Sequence, residues 1–194
     1  MKFVSFAFRH ILYEEGGGKA SMKVAFLDRD GTIIEDYSDE VWTSVTAPVF
    51  IPEAINVLHT LTLKGYDIII VTNQYLIEEA YITQAQYEQI TEKMLQKLEE
   101  KGICVLDIFY CPHRRDAGCS CLKPRKGLIM QAVDKYPQID LNTSVMIGDS
   151  DADMLLAQSL NLKGFGIGVG KGKEYKEGDI TQVSSIKEVM MFIP

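Results

Sequence analysis

From Met22 onward, short apolar runs alternate with segments whose apolar residues recur every three or four positions. The runs at residues 23–27, 67–71, 105–110, 144–147 and 164–169 have the length and near-continuous hydrophobicity of strands buried on both faces. Between the second and third runs, Tyr87, Ile90, Met94 and Leu98 share one helical face over residues 83–102. Thr83 and Gln86 have capping-box spacing there, and Gly102 is placed to end the helix. An earlier helix opens at Pro52, sets Ile55, Leu58 and Leu61 on one face, and closes at Gly65. Met154, Leu155 and Leu160 predict another after Asp151. Strands alternating with helices predict an α/β fold, a doubly wound parallel sheet with helices on both faces.

Residues 22–194 are expected to form a single domain, because a chain of 194 residues is within the reach of one hydrophobic core. Residues 1–21 read as an N-terminal extension. Glu14, Glu15, Gly16, Gly17 and Gly18 reverse-translate to a purine-rich stretch a few codons before Met22, as a ribosome-binding sequence would. Met22 is therefore a candidate native start, with an ordinary flexible extension as the alternative.

In an open α/β sheet, ligands gather outside the carboxyl ends of the strands. The first run ends in Asp28-Arg29-Asp30-Gly31-Thr32-Ile33, which sets two carboxylates at a sharp turn. Asp-Gly alone is a turn dipeptide, so this segment by itself is equally a structural one. The second run ends in Thr72-Asn73-Gln74, and the fourth in Gly148-Asp149-Ser150-Asp151-Ala152-Asp153. Lys123 precedes the fourth, in Cys121-Leu122-Lys123-Pro124. A phosphate monoester requires a carboxylate nucleophile, cations to screen its oxygens and an acid for the leaving oxygen, and these four blocks contain such groups.

The four blocks, in this order at successive strand ends, resemble the four motifs of the haloacid dehalogenase superfamily of phosphatases over essentially all of residues 22–194. The resemblance implies the Rossmann-like fold of that superfamily and an aspartyl-phosphate mechanism. Asp28 would be the nucleophile and Asp30 the general acid and base, with Thr72 and Lys123 holding the transferring oxygens. Magnesium would sit on Asp28, the backbone carbonyl of Asp30, and Asp149. Arg29, Asn73, Gln74 and the position of Leu122 are the candidate substrate contacts. Asp153 has two open readings, as an orienting partner for Lys123 or a metal-bound water and as a helix cap.

Cys111, His113, Cys119 and Cys121 crowd a segment with few apolar anchors, a composition that suits a closed structural zinc site, although the spacing differs from the common paired Cys-x-x-Cys arrangement and free loop thiols are the alternative. A similar zinc-binding loop just before the motif lysine occurs in heptose bisphosphate phosphatases and histidinol-phosphate phosphatases. By that resemblance zinc would stiffen the loop carrying Lys123. Clustered rather than spread cysteines also point to a reducing, cytoplasmic setting.

The intervals between motifs leave no room for a separate cap domain, so residues 33–50 and the zinc-binding loop are expected to cover the site and select the substrate. Glu35, Asp36, Asp39 and Glu40 make the first of these acidic, and Trp42 adds a flat apolar surface. By overall resemblance to the heptose bisphosphate phosphatases, in Asp28-Arg29-Asp30-Gly31, Thr72-Asn73-Gln74 and the spacing of Cys111, His113, Cys119 and Cys121, the expected substrate is D-glycero-D-manno-heptose 1,7-bisphosphate, cut at the 7-phosphate. Leu122 replaces the arginine that family places beside the motif lysine, and Tyr75-Leu76 replaces a small pair. These departures, with the acidic loop, keep histidinol phosphate as an alternative. A polynucleotide 3′-phosphatase shares two motifs, but a net charge of −7 disfavours nucleic acid as a partner. A non-catalytic phosphate-binding module is the remaining alternative, against which Asp30 stands intact. A small phosphorylated metabolite is the expected partner, a monomer the default state, and no apolar run reaches the roughly 18–20 residues of a membrane span. Cys104 is expected in the core, His10 and His59 at solvent or in structural roles. The alternating glycines Gly164, Gly166, Gly168, Gly170 and Gly172 are expected to thin a strand and its exit loop.

Overall fold

The computed structural model describes residues 21–169, 175 and 180–193. The expected N-terminal extension over residues 1–21 therefore lies, apart from Ser21, outside the described residues, as do His10, Gly170 and Gly172. Six strands form one parallel sheet: β1 (Val24–Leu27), β2 (Asp67–Asn73), β3 (Val105–Cys111), β4 (Val145–Gly148), β5 (Lys163–Ile167) and β6 (Ile180–Val183), in the order β3-β2-β1-β4-β5-β6. β1 is central, and the chain winds away from it first toward β3 and then toward β6. That reversal opens a crevice at the carboxyl ends of β1 and β4, where ligands gather in such sheets.

Side-chain alternation along these strands supplies two separate cores. Ala25, Leu27, Ile68, Ile70, Val145 and Ile147 face one side, against helices α2 (Ala54–Leu63) and α3 (Gln84–Glu99) and a C-terminal 3-10 turn over Ile186–Met191. Val24, Phe26, Ile69, Val71 and Met146 face the other, against α4 (Gly127–Lys135) and α5 (Asp151–Ser159). The doubly wound arrangement is thus as expected. Thr83 caps α3 with Gln86 in a reciprocal capping box, satisfying two otherwise unpaired N–H groups.

Elements beyond the sequence reading include α4, β6 and the C-terminal turn. α4 carries Leu128, Ile129 and Ala132 at helical spacing, a readable signal placed directly after the Lys123-Pro124 loop. β6 lies at a sheet edge, and Thr181 and Gln182 at its centre leave no continuous apolar run to mark it. A one-turn helix α1 (Asp39–Trp42) interrupts residues 33–50. Trp42 does not present a surface to substrate: it is buried in the first core, with its indole N–H donating to Asp36 Oδ1 at 2.9 Å. Cys104 is exposed rather than buried, because the chain turns toward β3 at the rim of the sheet. His59 is exposed on α2. Among the described glycines of the alternating series, Gly164 and Gly166 lie in β5 and Gly168 in its exit, as expected. No helix among the described residues is long and apolar enough to cross a membrane.

Candidate active site

Asp28 follows β1 directly, and its backbone N–H donates to Ile147 of β4 at 2.9 Å, which fixes the residue in the crevice. The turn after it depends on Gly31, whose φ of +78° is open to glycine and costly for other residues. A Cβ there would lie 2.0 Å from a carboxylate oxygen of Asp149, so the turn and the second acidic segment meet only because that side chain is missing. Gly148 serves the same end beneath Asp153, where a Cβ would lie 2.4 Å from the carboxyl group.

Asp28, Asp149 and Asp153 each bring a carboxylate oxygen within 4.8 Å of the others, a grouping that could hold a metal ion. Asp28 Oδ1 accepts from the Arg29 N–H at 2.7 Å and faces Lys123 Nζ at 2.9 Å. Lys123 is fully buried and also donates to Asp153 Oδ1 at 2.6 Å and to the Val71 carbonyl at 2.9 Å. Asp153 Oδ2 in turn accepts from the hydroxyl and N–H of Ser150, completing a capping box at the start of α5. Both readings of Asp153 therefore hold at once: it caps the helix with one oxygen and orients Lys123 with the other. Burial first, then the charges of Asp28 and Asp153, push the Asp149 carboxyl up to about 7. Four charged groups of which three are acids leave this corner short of positive charge.

Asp30 points into a different environment. Arg29 grips it through Nε to Oδ1 at 2.9 Å and Nη2 to Oδ2 at 3.1 Å, and Gln74 Nε2 adds a bond to Oδ2 at 2.6 Å. Arg29 spends two further donors on Thr91 of α3 at 3.0 Å and on Gln74 Oε1 at 3.1 Å, with its guanidinium 4.8 Å from the Tyr87 ring centroid. Arg29 and Gln74 have no exposed surface, which corrects the expectation that they touch substrate. Four of the five guanidinium N–H donors are engaged inside the protein, and both residues position Asp30. Burial raises the Asp30 pKa, with Arg29 opposing it.

Asn73 forms a reciprocal pair with the backbone of Lys123, accepting from its N–H at 2.9 Å and donating to its carbonyl at 3.2 Å. It thereby sets the main chain that carries the buried lysine. Thr72 is buried, and its hydroxyl accepts from Gln74 Nε2 at 2.9 Å. Leu122 is half-buried against the second core and brings no charge.

In the loop between β3 and α4, Cys111, His113, Cys119 and Cys121 converge to within 4.8 Å and could hold a second metal ion. The sulfurs lie 3.0 to 3.5 Å apart, and His113 Nδ1 lies 3.2 Å from Cys121 Sγ. Burial, then the hydrogen bond with Cys121, pushes the Cys111 thiol up, so a cation is needed before all three sulfurs can be thiolates.

Residues 23–184 match the family model described as polynucleotide kinase 3 phosphatase. The chain belongs to this family. It is accordingly a phosphatase of the haloacid dehalogenase superfamily, the group its strand-end motifs resemble. The D-glycero-beta-D-manno-heptose-1,7-bisphosphate 7-phosphatase of Pasteurella multocida is 34% identical over 178 residues, covering 89% of this chain and 95% of that protein. The histidine biosynthesis bifunctional protein HisB of Campylobacter jejuni is 34% identical over 155 residues, which is 79% of this chain but 44% of that longer protein. A crystal structure of the D,D-heptose 1,7-bisphosphate phosphatase of B. bronchiseptica, complexed with magnesium and phosphate, superposes with a TM-score of 0.76 at 25% identity, over 88% of this chain and 97% of that one.

Sequence reasoning did not single out three participants in this phosphatase. Thr32 is buried with its hydroxyl donating to Asp149 Oδ1 at 3.3 Å, and it sat unremarked inside the first motif. Ser150 had the spacing of a cap to Asp153 and was readable. Thr91 was not, since 62 residues separate it from the arginine it holds.

Proposed function

We propose that the chain is a magnesium-dependent phosphomonoesterase that works through an aspartyl-phosphate on Asp28, with D-glycero-D-manno-heptose 1,7-bisphosphate as its substrate. The observation carrying the mechanism is the buried Lys123, held between Asp28 and Asp153 at the carboxyl edge of β1 and β4. Both contacts to Asp28 among the described residues fall on Oδ1, which leaves Oδ2 to attack phosphorus. As that bond forms, the ester P–O bond breaks and Asp30 gives its proton to the departing oxygen. Burial raises its pKa in the direction this requires, and one of the bonds from Arg29 or Gln74 must release an Asp30 oxygen before that oxygen carries the proton. Asp30 then takes a proton from the water that attacks the aspartyl-phosphate, releasing phosphate and restoring Asp28. Lys123 places a fixed positive charge beside the transferring oxygens in a water-poor site, where such charges act most strongly, and Thr72 is assigned to the same oxygens.

Magnesium would be held by Asp28, Asp149 and the carbonyl of Asp30, and would supply charge neutralisation for the phosphoryl oxygens. The three-acid corner and the raised Asp149 pKa fit a resident dication. The cluster of three sulfurs and one imidazole would hold zinc, a donor set that suits a closed site. Its role is structural.

The substrate assignment rests on the end-to-end match with the Pasteurella protein. Histidinol phosphate is the second reading, favoured by the uncharged Leu122 and by Asp36 and Asp39 near the site. Phosphate release would be measured with magnesium from heptose 1,7-bisphosphate, histidinol phosphate, other sugar phosphates and a 3′-phosphorylated oligonucleotide. Heptose 1,7-bisphosphate is expected to be preferred, and Asp28→Asn to be inactive. Preference for histidinol phosphate would replace the substrate assignment, and an active Asp28→Asn would refute the mechanism.

A further inference from the structure

Three segments from separate parts of the chain meet on one side chain outside the reacting groups. Arg115 lies on the metal-ligand loop, between His113 and Cys119, and its guanidinium reaches Asp39 at the start of α1. The same Nη2 lies 3.5 Å from Glu79 Oε2, in the turn that follows β2. The guanidinium plane covers the Tyr75 ring at 3.8 Å, and the Tyr75 hydroxyl donates to the second oxygen of Asp39 at 3.2 Å. The backbone joins in: the Arg115 N–H donates to Glu79 Oε1 at 3.0 Å, and the Arg114 N–H to Glu78.

This cluster borders the reaction site. Tyr75 directly follows Gln74, which holds Asp30, and Asp36, three residues before Asp39, is close enough to Asp149 to raise its pKa. Arg115 has two carboxylates and a ring for partners, so it is not a spare cation for a second phosphate. Lone exposed ion pairs contribute little, but here one planar fork joins two carboxylates and an aromatic face, and no other residue type matches that geometry.

We propose that Arg115 is a positioning residue for substrate selection, clasping residues 36–42 and 75–79 to the metal-ligand loop and so setting the rim through which the phosphorylated molecule reaches Asp28. The inference rests on the phosphatase function proposed above. Substrates that extend beyond the phosphate pocket need that rim, whereas a small donor such as acetyl phosphate does not.

The test compares the parent protein with Arg115→Ala and Arg115→Lys by hydrogen exchange and by steady-state kinetics. In Arg115→Ala, amide exchange is expected to accelerate about 10-fold in residues 36–43 and 75–80, the order set by losing one cation–π contact and a clustered ion pair. Exchange in β1 and β4 stays unchanged. KM for the preferred panel substrate is expected to rise by a similar factor while kcat holds within about 2-fold, and acetyl phosphate hydrolysis is unaffected. Arg115→Lys should fall between, since an ammonium keeps one ion pair but neither the fork nor the stacked plane. Unchanged exchange in both segments would overturn the clasp whether or not any panel substrate is turned over. An equal fall in kcat on large and small substrates would also overturn it, by placing Arg115 in the chemistry itself. A parent protein inactive on the whole panel would count against the proposed function alone, because the exchange measurement still decides the clasp.

Discussion

Replacing Asp149 with asparagine is expected to stabilise the magnesium-free protein while removing its response to magnesium. Asp149 shares a corner with Asp28 and Asp153, and burial together with those two charges moves its carboxyl from 3.8 to about 7. Between these values the native state binds a proton that the unfolded chain does not, so stability falls as pH rises from about 4 to about 7. At about 1.36 kcal/mol per pKa unit, the full effect above pH 7 is about 4 kcal/mol. Asparagine keeps the shape, and its amide oxygen can still accept from Thr32, but it brings no charge. With relaxation and water entry reducing the ideal value, the variant should gain about 2–4 kcal/mol at pH 8 and almost nothing at pH 4. Urea unfolding followed by fluorescence of the single, buried Trp42 would measure this. Magnesium is best removed by dialysis rather than by a chelator, so that any ion on the cysteine and histidine cluster is left in place. Added magnesium should then raise the Tm of the parent and not that of Asp149→Asn. A variant no more stable than the parent at pH 8, or a gain of equal size at pH 4, would refute the account of this corner.

Lys123→Met leaves Asp28 and Asp153 facing each other without a cation. It is expected to cost about 3–5 kcal/mol in urea unfolding and to abolish phosphate release. Arg29→Met removes two bonds from Asp30 and one from Gln74. The folded pKa of Asp30 then rises further above its unfolded value, so the loss of stability, about 3–5 kcal/mol at neutral pH, should shrink as pH falls toward 4. Cys111→Ser should lower the zinc content measured by elemental analysis and lower the Tm, and a freshly purified parent protein without zinc would refute the assignment of that cluster.

The strand-end motifs were legible because each relevant group follows an apolar run and the sheet rule says where such groups go. Asp28 and Asp149 are brought together in this way, Lys123 was read from its place before the fourth run, and the candidate metal cluster was read from the crowding of three cysteines and a histidine in one short segment. The role of Arg29 was not legible. An arginine beside a candidate nucleophile looks like a substrate ligand in one dimension, and only the packing of α3 into the first core, which brings Thr91 and Tyr87 against it, makes it an internal clamp for Asp30. Trp42 was misplaced for a similar reason: in a polar loop it looks exposed, and α1 folds it inward. Cys104 failed in the opposite direction, since its apolar neighbours belong to a strand that begins only after it.

Period and punctuation in the amino-acid order alone determined β1 to β5, helices α2, α3 and α5 and the parallel winding, while the strand-end motifs carried the resemblance to the family. These depend on interactions between near neighbours and on a general rule of sheet connection. Tertiary structure alone decided which polar groups share a corner, which way each carboxylate turns, and that Arg115 joins three loops at once. Those outcomes depend on contacts between residues tens of positions apart, for which a linear order carries no distance.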